Sequence, residues 1–93
     1  MFIPRENFDG YFQIVNTDEF AICGGSYNVI QARLLGFTYP DYLRYCRAKH
    51  KGTLRGRVGY SYVVFKDKKD CLNVCKLLNN EWEKVKEYFV KEV

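Results

Sequence analysis

The residues Cys71, Cys75, Leu78, Trp82, Val85 and Phe89 follow one another at intervals of 4-3-4-3-4, the spacing that lines apolar side chains along one stripe of an α-helix. Asp67 or Asp70 is placed to cap its start. If Asn79-Asn80 does not interrupt it, the helix runs roughly 35 Å at 1.5 Å per residue, longer than a small domain needs for its own core. Part of the seam is then free for a second copy of the chain, and a homodimer through residues 71–89 is the expectation. The alternative is two shorter helices, split at the Asn pair and folded back on a sheet. Everything upstream must supply a surface for this stripe.

The 93 residues suffice for one hydrophobic core and leave no room for a second, and neither repeat nor linker divides them. Eight Tyr, seven Phe and one Trp provide bulky core material. Gly10 to Val15 and Phe20 to Cys23 are apolar and β-prone around the turn-forming Asn16-Thr17-Asp18-Glu19, which predicts an opening hairpin. Ser26 is placed as an N-cap for a helix over Tyr27 to Leu35, with Gly36 just beyond its end. Thr38 and Asp41 form a Thr-x-x-Asp capping box around Pro40 and start a second helix. On it Tyr39, Leu43, Cys46 and His50 share one stripe, and Arg44, Arg47 and Lys51 another.

From Thr53 to Phe65 the pattern has period two, reversing near Val58-Gly59. A two-residue loop there sets Arg57 opposite Tyr60 and Arg55 opposite Tyr62; a three-residue loop with Gly59 in a bulge changes that pairing. The expected fold is therefore α+β: a small single domain with an N-terminal β-hairpin, a helical hairpin, a second β-hairpin and a long C-terminal helix or helix pair.

The net charge of +4 is unevenly distributed. Arg5 and Arg33 against Glu6, Asp9, Asp18 and Glu19 leave residues 1–38 at −2, whereas residues 39–66 carry +6, with seven cations against Asp41 alone. Residues 67–93 balance six Lys with six acids. The basic block also holds Tyr39, Tyr42, Tyr45, Tyr60 and Tyr62. Basic groups interleaved with planar rings suit phosphates and bases. The expected ligand-binding set is Arg44, Arg47, Lys51, Arg55 and Arg57 for phosphates, with Tyr45, Tyr60 and Tyr62 stacking. The stretch Cys23-Gly24-Gly25-Ser26 before a helix adds Gly24, Gly25 and Ser26 as a minimal anion cradle, without the Lys-Ser/Thr ending of a P-loop.

Other chemistry is disfavoured. Cys71 and Cys75 are a helical i,i+4 pair rather than a Cys-x-x-Cys turn, so the expectation is buried free thiols, with no metal, cofactor or disulfide. His50 has no nucleophile with a recognisable local signature, and the acids serve as caps or solvated helix faces. No enzyme is expected. The absence of a membrane-length apolar run and the start Met1-Phe2-Ile3-Pro4-Arg5-Glu6 predict a soluble chain that stays in the cytoplasm, with no membrane partner.

Ala32 to Thr38, followed by the capped helix with Leu43 and Cys46, resembles a helix-turn-helix pattern over residues 31–50. Pro40 and Tyr42 depart from it at the start of the second helix. The resemblance implies duplex DNA contacts from Arg44, Arg47 and Lys51, with the 53–65 hairpin as a wing. The stretch Gln31 to Arg47, the basic hairpin and Leu77-Leu78-Asn79-Asn80 together resemble small accessory proteins of bacteriophages and mobile elements of Gram-positive bacteria, over residues 29–82 or so. That resemblance implies a phage-type protein in a bacterial host cell, occupying a host defence component or its nucleotide signal. Three functions follow as expectations: a binder of a phosphate-bearing nucleotide or single-stranded nucleic acid, a DNA-binding regulator, and an inhibitor of an acidic host protein.

Overall fold

The first strand is one the sequence hides, because Pro4 lacks the N–H of a ladder residue and charges follow it. The computed structural model describes residues 1–17, 27–56, 61–85 and 87. In it β1 (Phe2–Glu6) pairs antiparallel with β2 (Phe12–Asn16), from Phe2 opposite Asn16 to Glu6 opposite Phe12. β1 is an edge strand, where proline is tolerated. The turn between them is closed by Asn7 N–H to the Tyr11 carbonyl (2.7 Å) and Gly10 N–H to the Asn7 carbonyl (3.0 Å), with Gly10 at φ +84°. An opening hairpin therefore forms over residues 2–16, with a first arm that precedes the expected one. The expected second arm at Phe20 to Cys23 lies outside the described residues.

Helix α1 spans Tyr27–Leu34. Gly36, at φ +77°, donates to the Arg33 carbonyl (3.1 Å) and Phe37 N–H donates to the Ala32 carbonyl (2.9 Å), the paired bonds of a glycine-terminated Schellman ending. Helix α2 (Tyr39–Lys49) starts as its capping residues require: the Thr38 hydroxyl accepts from Asp41 N–H at 3.4 Å, and Pro40 sits in the first turn. The α2 stripe is broader than expected, since Tyr42 is fully buried beside Leu43 and Cys46. Its hydroxyl donates to Gln31 Oε1 at 2.7 Å, so the polar tip is satisfied inside the core.

Strands β3 (Gly52–Arg55) and β4 (Tyr62–Phe65) pair antiparallel, with Gly52 opposite Phe65 and Arg55 opposite Tyr62. That is one of the two pairings a two-residue loop requires; the other, Arg57 with Tyr60, lies outside the described residues. The sheet order is β1-β2-β4-β3, and Phe12 pairs with Phe65 across its centre.

Helix α3 is continuous from Lys68 to Val85, about 27 Å of helix, and is not split at Asn79-Asn80. Its stripe of Cys71, Val74, Cys75, Leu78 and Trp82 packs on Phe2, Ile14, Val63 and Phe65 together with Tyr42, Leu43 and Cys46 of α2. Trp82 meets Phe2 edge to face at 5.9 Å. Over residues 71–82 the seam thus serves the chain's own core. Val85 is half-buried, and Phe89 lies outside the described residues. The architecture is α+β: a four-stranded antiparallel sheet whose core face is covered by α2 and α3, with α1 packed against those two helices.

Candidate nucleic-acid interface

A Cβ placed on Gly52 would come within 2.6 Å of Val63 Cγ2 and 3.1 Å of the Cys46 carbonyl oxygen. Gly52 therefore faces α2, Leu54 shares its face by alternation, and Arg55 points to the other side of the sheet with its cross-strand neighbour Tyr62. This divides the expected basic face. Arg44 and Arg47 are exposed on α2, on one side of the sheet; Arg55 and Tyr62 lie on the other. The helix stripe and the hairpin alternation are each local patterns, whereas the strand parity that relates them comes from packing.

Two of the expected arginines are already occupied. Arg44 pairs with Asp41 at 2.8 Å, one helical turn away. Arg55 is ion-paired to Asp9 and lies 4.2 Å from the centroid of the Tyr11 ring. To get there from β3 it must cross β4, where Val64, on the same face, is fully buried. The Arg55 hydrogen bond holds the Asp9 carboxyl below its usual range and raises the Arg55 guanidinium in turn. Arg55 thus clamps the second hairpin to the first. It is not a free phosphate ligand.

Tyr45 is likewise engaged. Its ring lies 4.9 Å from Phe37 and 5.0 Å from His50, and its hydroxyl is 3.0 Å from His50 Nε2. Burial lowers the His50 pKa, opposed by the charge of Asp70. Arg57, Tyr60, Gly24, Gly25 and Ser26 lie outside the described residues.

Six cations without such partners gather at one end of the sheet, whereas Arg33 and Lys76, also unpaired among the described residues, lie elsewhere on α1 and α3. Lys51, at φ +56°, carries the chain from α2 into β3. Because Gly52 faces Phe65, Lys51 and Lys66 flank the same end of the ladder. Lys68 and Lys69 follow at once in the first turn of α3. Lys49 and His50 run directly into Lys51, so the end of α2, with Arg47 and Lys49, comes to this same end of the sheet. All six of these cations are exposed. None of their side chains forms an ion pair or hydrogen bond among the described residues. Asp67 and Asp70 are the acids between them, and the α3 N-terminus adds positive potential.

Sequence reasoning named Arg47 and Lys51 but missed Lys49, Lys66, Lys68 and Lys69. Dividing the charge count between residues 66 and 67 splits the run Lys66-Asp67-Lys68-Lys69 at a strand-to-helix junction, which is the available signal. The pairing of Phe12 with Phe65 brings the Asn7 to Tyr11 turn to this same end. At its tip Phe8 is wholly exposed.

The rest of the molecule offers less. Helices α1 and α2 follow the helix-turn-helix order, yet Tyr42 of the second helix is buried, Arg44 is tied to Asp41, and β3-β4 is built into the sheet rather than standing free as a wing. Cys46, Cys71 and Cys75 are buried free thiols, and Cys23 lies outside the described residues. Burial raises Cys46 to about 11, and a hydrogen bond with Cys75 together with burial raises Cys71. Neither is an activated nucleophile. Among the described residues no cluster of His, Cys, Asp and Glu is disposed to hold a metal, and no helix is long and apolar enough to cross a membrane. A cleft of about 200 Å³ lined by Arg33, Leu34, Glu81 and Val85 lies toward the far end of α3 from Lys68.

Comparison with protein-family models, with curated proteins and with solved structures returned no match to this chain.

Proposed function

We propose that this protein is a non-enzymatic binder of phosphate-bearing nucleic acid, which grips the backbone through Arg47, Lys49, Lys51, Lys66, Lys68 and Lys69. The observation that carries the reading is that these six cations share one end of the molecule and lack intramolecular partners among the described residues, whereas Arg44 and Arg55 have them. An unpaired surface cation gains more from a phosphate than one that must first give up a carboxylate. The six groups all lie on exposed surface, an arrangement that suits successive phosphates of a strand better than one small nucleotide. Each neutralised phosphate releases counterions, so binding weakens as salt rises.

The test is fluorescence anisotropy of a labelled oligonucleotide across a series of salt concentrations. Lys51→Gln, Lys66→Gln and Lys69→Gln should each weaken binding and reduce the log–log salt slope by about 0.7 for a single strand. Arg44→Gln should change neither quantity, since Arg44 is bound to Asp41. Absence of binding at low salt, or a triple lysine variant that binds as tightly as the parent, overturns the reading.

A further inference from the structure

Phe8 is the one large apolar side chain among the described residues with no cover at all, at a relative exposure of 105%. It is not on a loose loop. Gly10 N–H donates to the Asn7 carbonyl, Asn7 N–H to the Tyr11 carbonyl, and Tyr11 N–H to Asp9 Oδ1 at 3.2 Å. The Asp9 carboxylate is in turn held by Arg55, whose guanidinium rests on the Tyr11 ring. A turn tied down on three sides carries the ring on an ordered backbone, so only its side-chain rotamers remain to be fixed on binding. The chain thus presents a bare phenyl group at the end of the sheet where Lys66 and Lys51 emerge.

From this juxtaposition we infer that Phe8 is a base-stacking residue, and that it makes the basic end select single-stranded over duplex nucleic acid. The inference rests on the proposed phosphate-binding function and deepens it. Lysines attract the backbone of either form, since both carry phosphates. A ring at the protein surface can stack only on a base whose face is open, which a duplex conceals and a single strand offers. Charge alone supplies affinity here, and Phe8 supplies the choice between the two forms.

The experiment compares a thymine oligonucleotide, an abasic strand of the same length and a duplex of the same length, each titrated with the parent protein and with Phe8→Ala, Phe8→Trp and Lys66→Gln. The parent should bind the thymine strand roughly tenfold more tightly than the abasic strand. Phe8→Ala should erase that difference and leave abasic binding unchanged, while Phe8→Trp restores it and shows base-dependent quenching. Lys66→Gln should weaken all three probes alike. Thermal unfolding of Phe8→Ala should match the parent, because the ring touches nothing that holds the fold.

A Phe8→Ala variant that keeps the preference for the base-bearing strand overturns the stacking role while leaving the phosphate-binding reading in place. If the parent binds none of the three probes, both readings fall. Binding to anionic phospholipid vesicles that Phe8→Ala abolishes, with no base preference in the oligonucleotides, overturns the inference in favour of a lipid surface.

Discussion

The side-chain amide of Asn79 holds both main-chain polar groups of Phe2: Phe2 N–H donates to Asn79 Oδ1 at 2.6 Å, and Asn79 Nδ2 donates to the Phe2 carbonyl at 2.9 Å. A side chain in the middle of α3 thereby does for the edge strand β1 what another strand would do. This explains why an Asn pair in a helix interior does not break it, since Asn79 takes its hydrogen bonds from β1 instead of competing with its own backbone. Asn79→Ala should strand two polar groups of Phe2 in a half-buried position and cost about 1–3 kcal/mol in urea unfolding. Asn80→Ala, at an exposed site, should be neutral or stabilise by a few tenths of a kcal/mol through helix propensity.

Local chemistry made the helices legible. Gly36 and Thr38 occupy the cap positions their backbone and side-chain chemistry suits, and the 4-3-4 stripe from Cys71 to Trp82 is the buried face of α3. What could not be read depends on contacts distant in sequence. Asp9 and Arg55 are 46 residues apart, so nothing local marks that arginine as structural. Tyr42 reads as a surface tyrosine until Gln31 is brought to its hydroxyl. The candidate site was half legible: the basic block was visible, but which of its cations remain unpaired depends on how the sheet assembles.

Gly52 marks the closest approach of α2 to the sheet. A methyl group there meets Val63 Cγ2 at 2.6 Å and the Cys46 carbonyl at 3.1 Å. Valine can turn, but the helix backbone can move only by shifting α2. Gly52→Ala should therefore destabilise by about 1–3 kcal/mol, and Gly52→Ala with Val63→Ala should recover only part of the loss. Thermal unfolding of the two variants checks this.

The shifted groups predict a stability plateau with two limbs. Asp9 titrates below 3.8 and His50 below 6.5 in the folded chain, so each contributes stability that is complete above those values and lost as pH falls through the folded ones. Cys46 moves the other way, from 9.0 to about 11, and Tyr42 also rises. Their contribution is complete below the unfolded values and lost as pH rises, for Cys46 between 9.0 and about 11. Unfolding midpoints should be highest between pH 6.5 and 9.0. His50→Gln should flatten the fall just below that window, and Arg55→Gln the fall at the most acidic end.

Gln31 and Tyr42 form a buried polar pair that neither residue can leave alone. The Tyr42 hydroxyl donates to Gln31 Oε1, while Gln31 Nε2 is buried without a hydrogen-bond partner among the described residues. Tyr42→Phe removes the donor and leaves the whole Gln31 amide unsatisfied, so it should cost about 1–3 kcal/mol. Gln31→Met keeps the volume and, though it takes the acceptor from the hydroxyl, also removes the unpaired amide nitrogen, so it should cost less. The double variant removes the donor, its acceptor and the unpaired amide nitrogen together. It should be more stable than Tyr42→Phe alone, with a coupling of about 0.5–3 kcal/mol in the cycle. Additive losses in urea unfolding would mean that the two groups do not depend on each other.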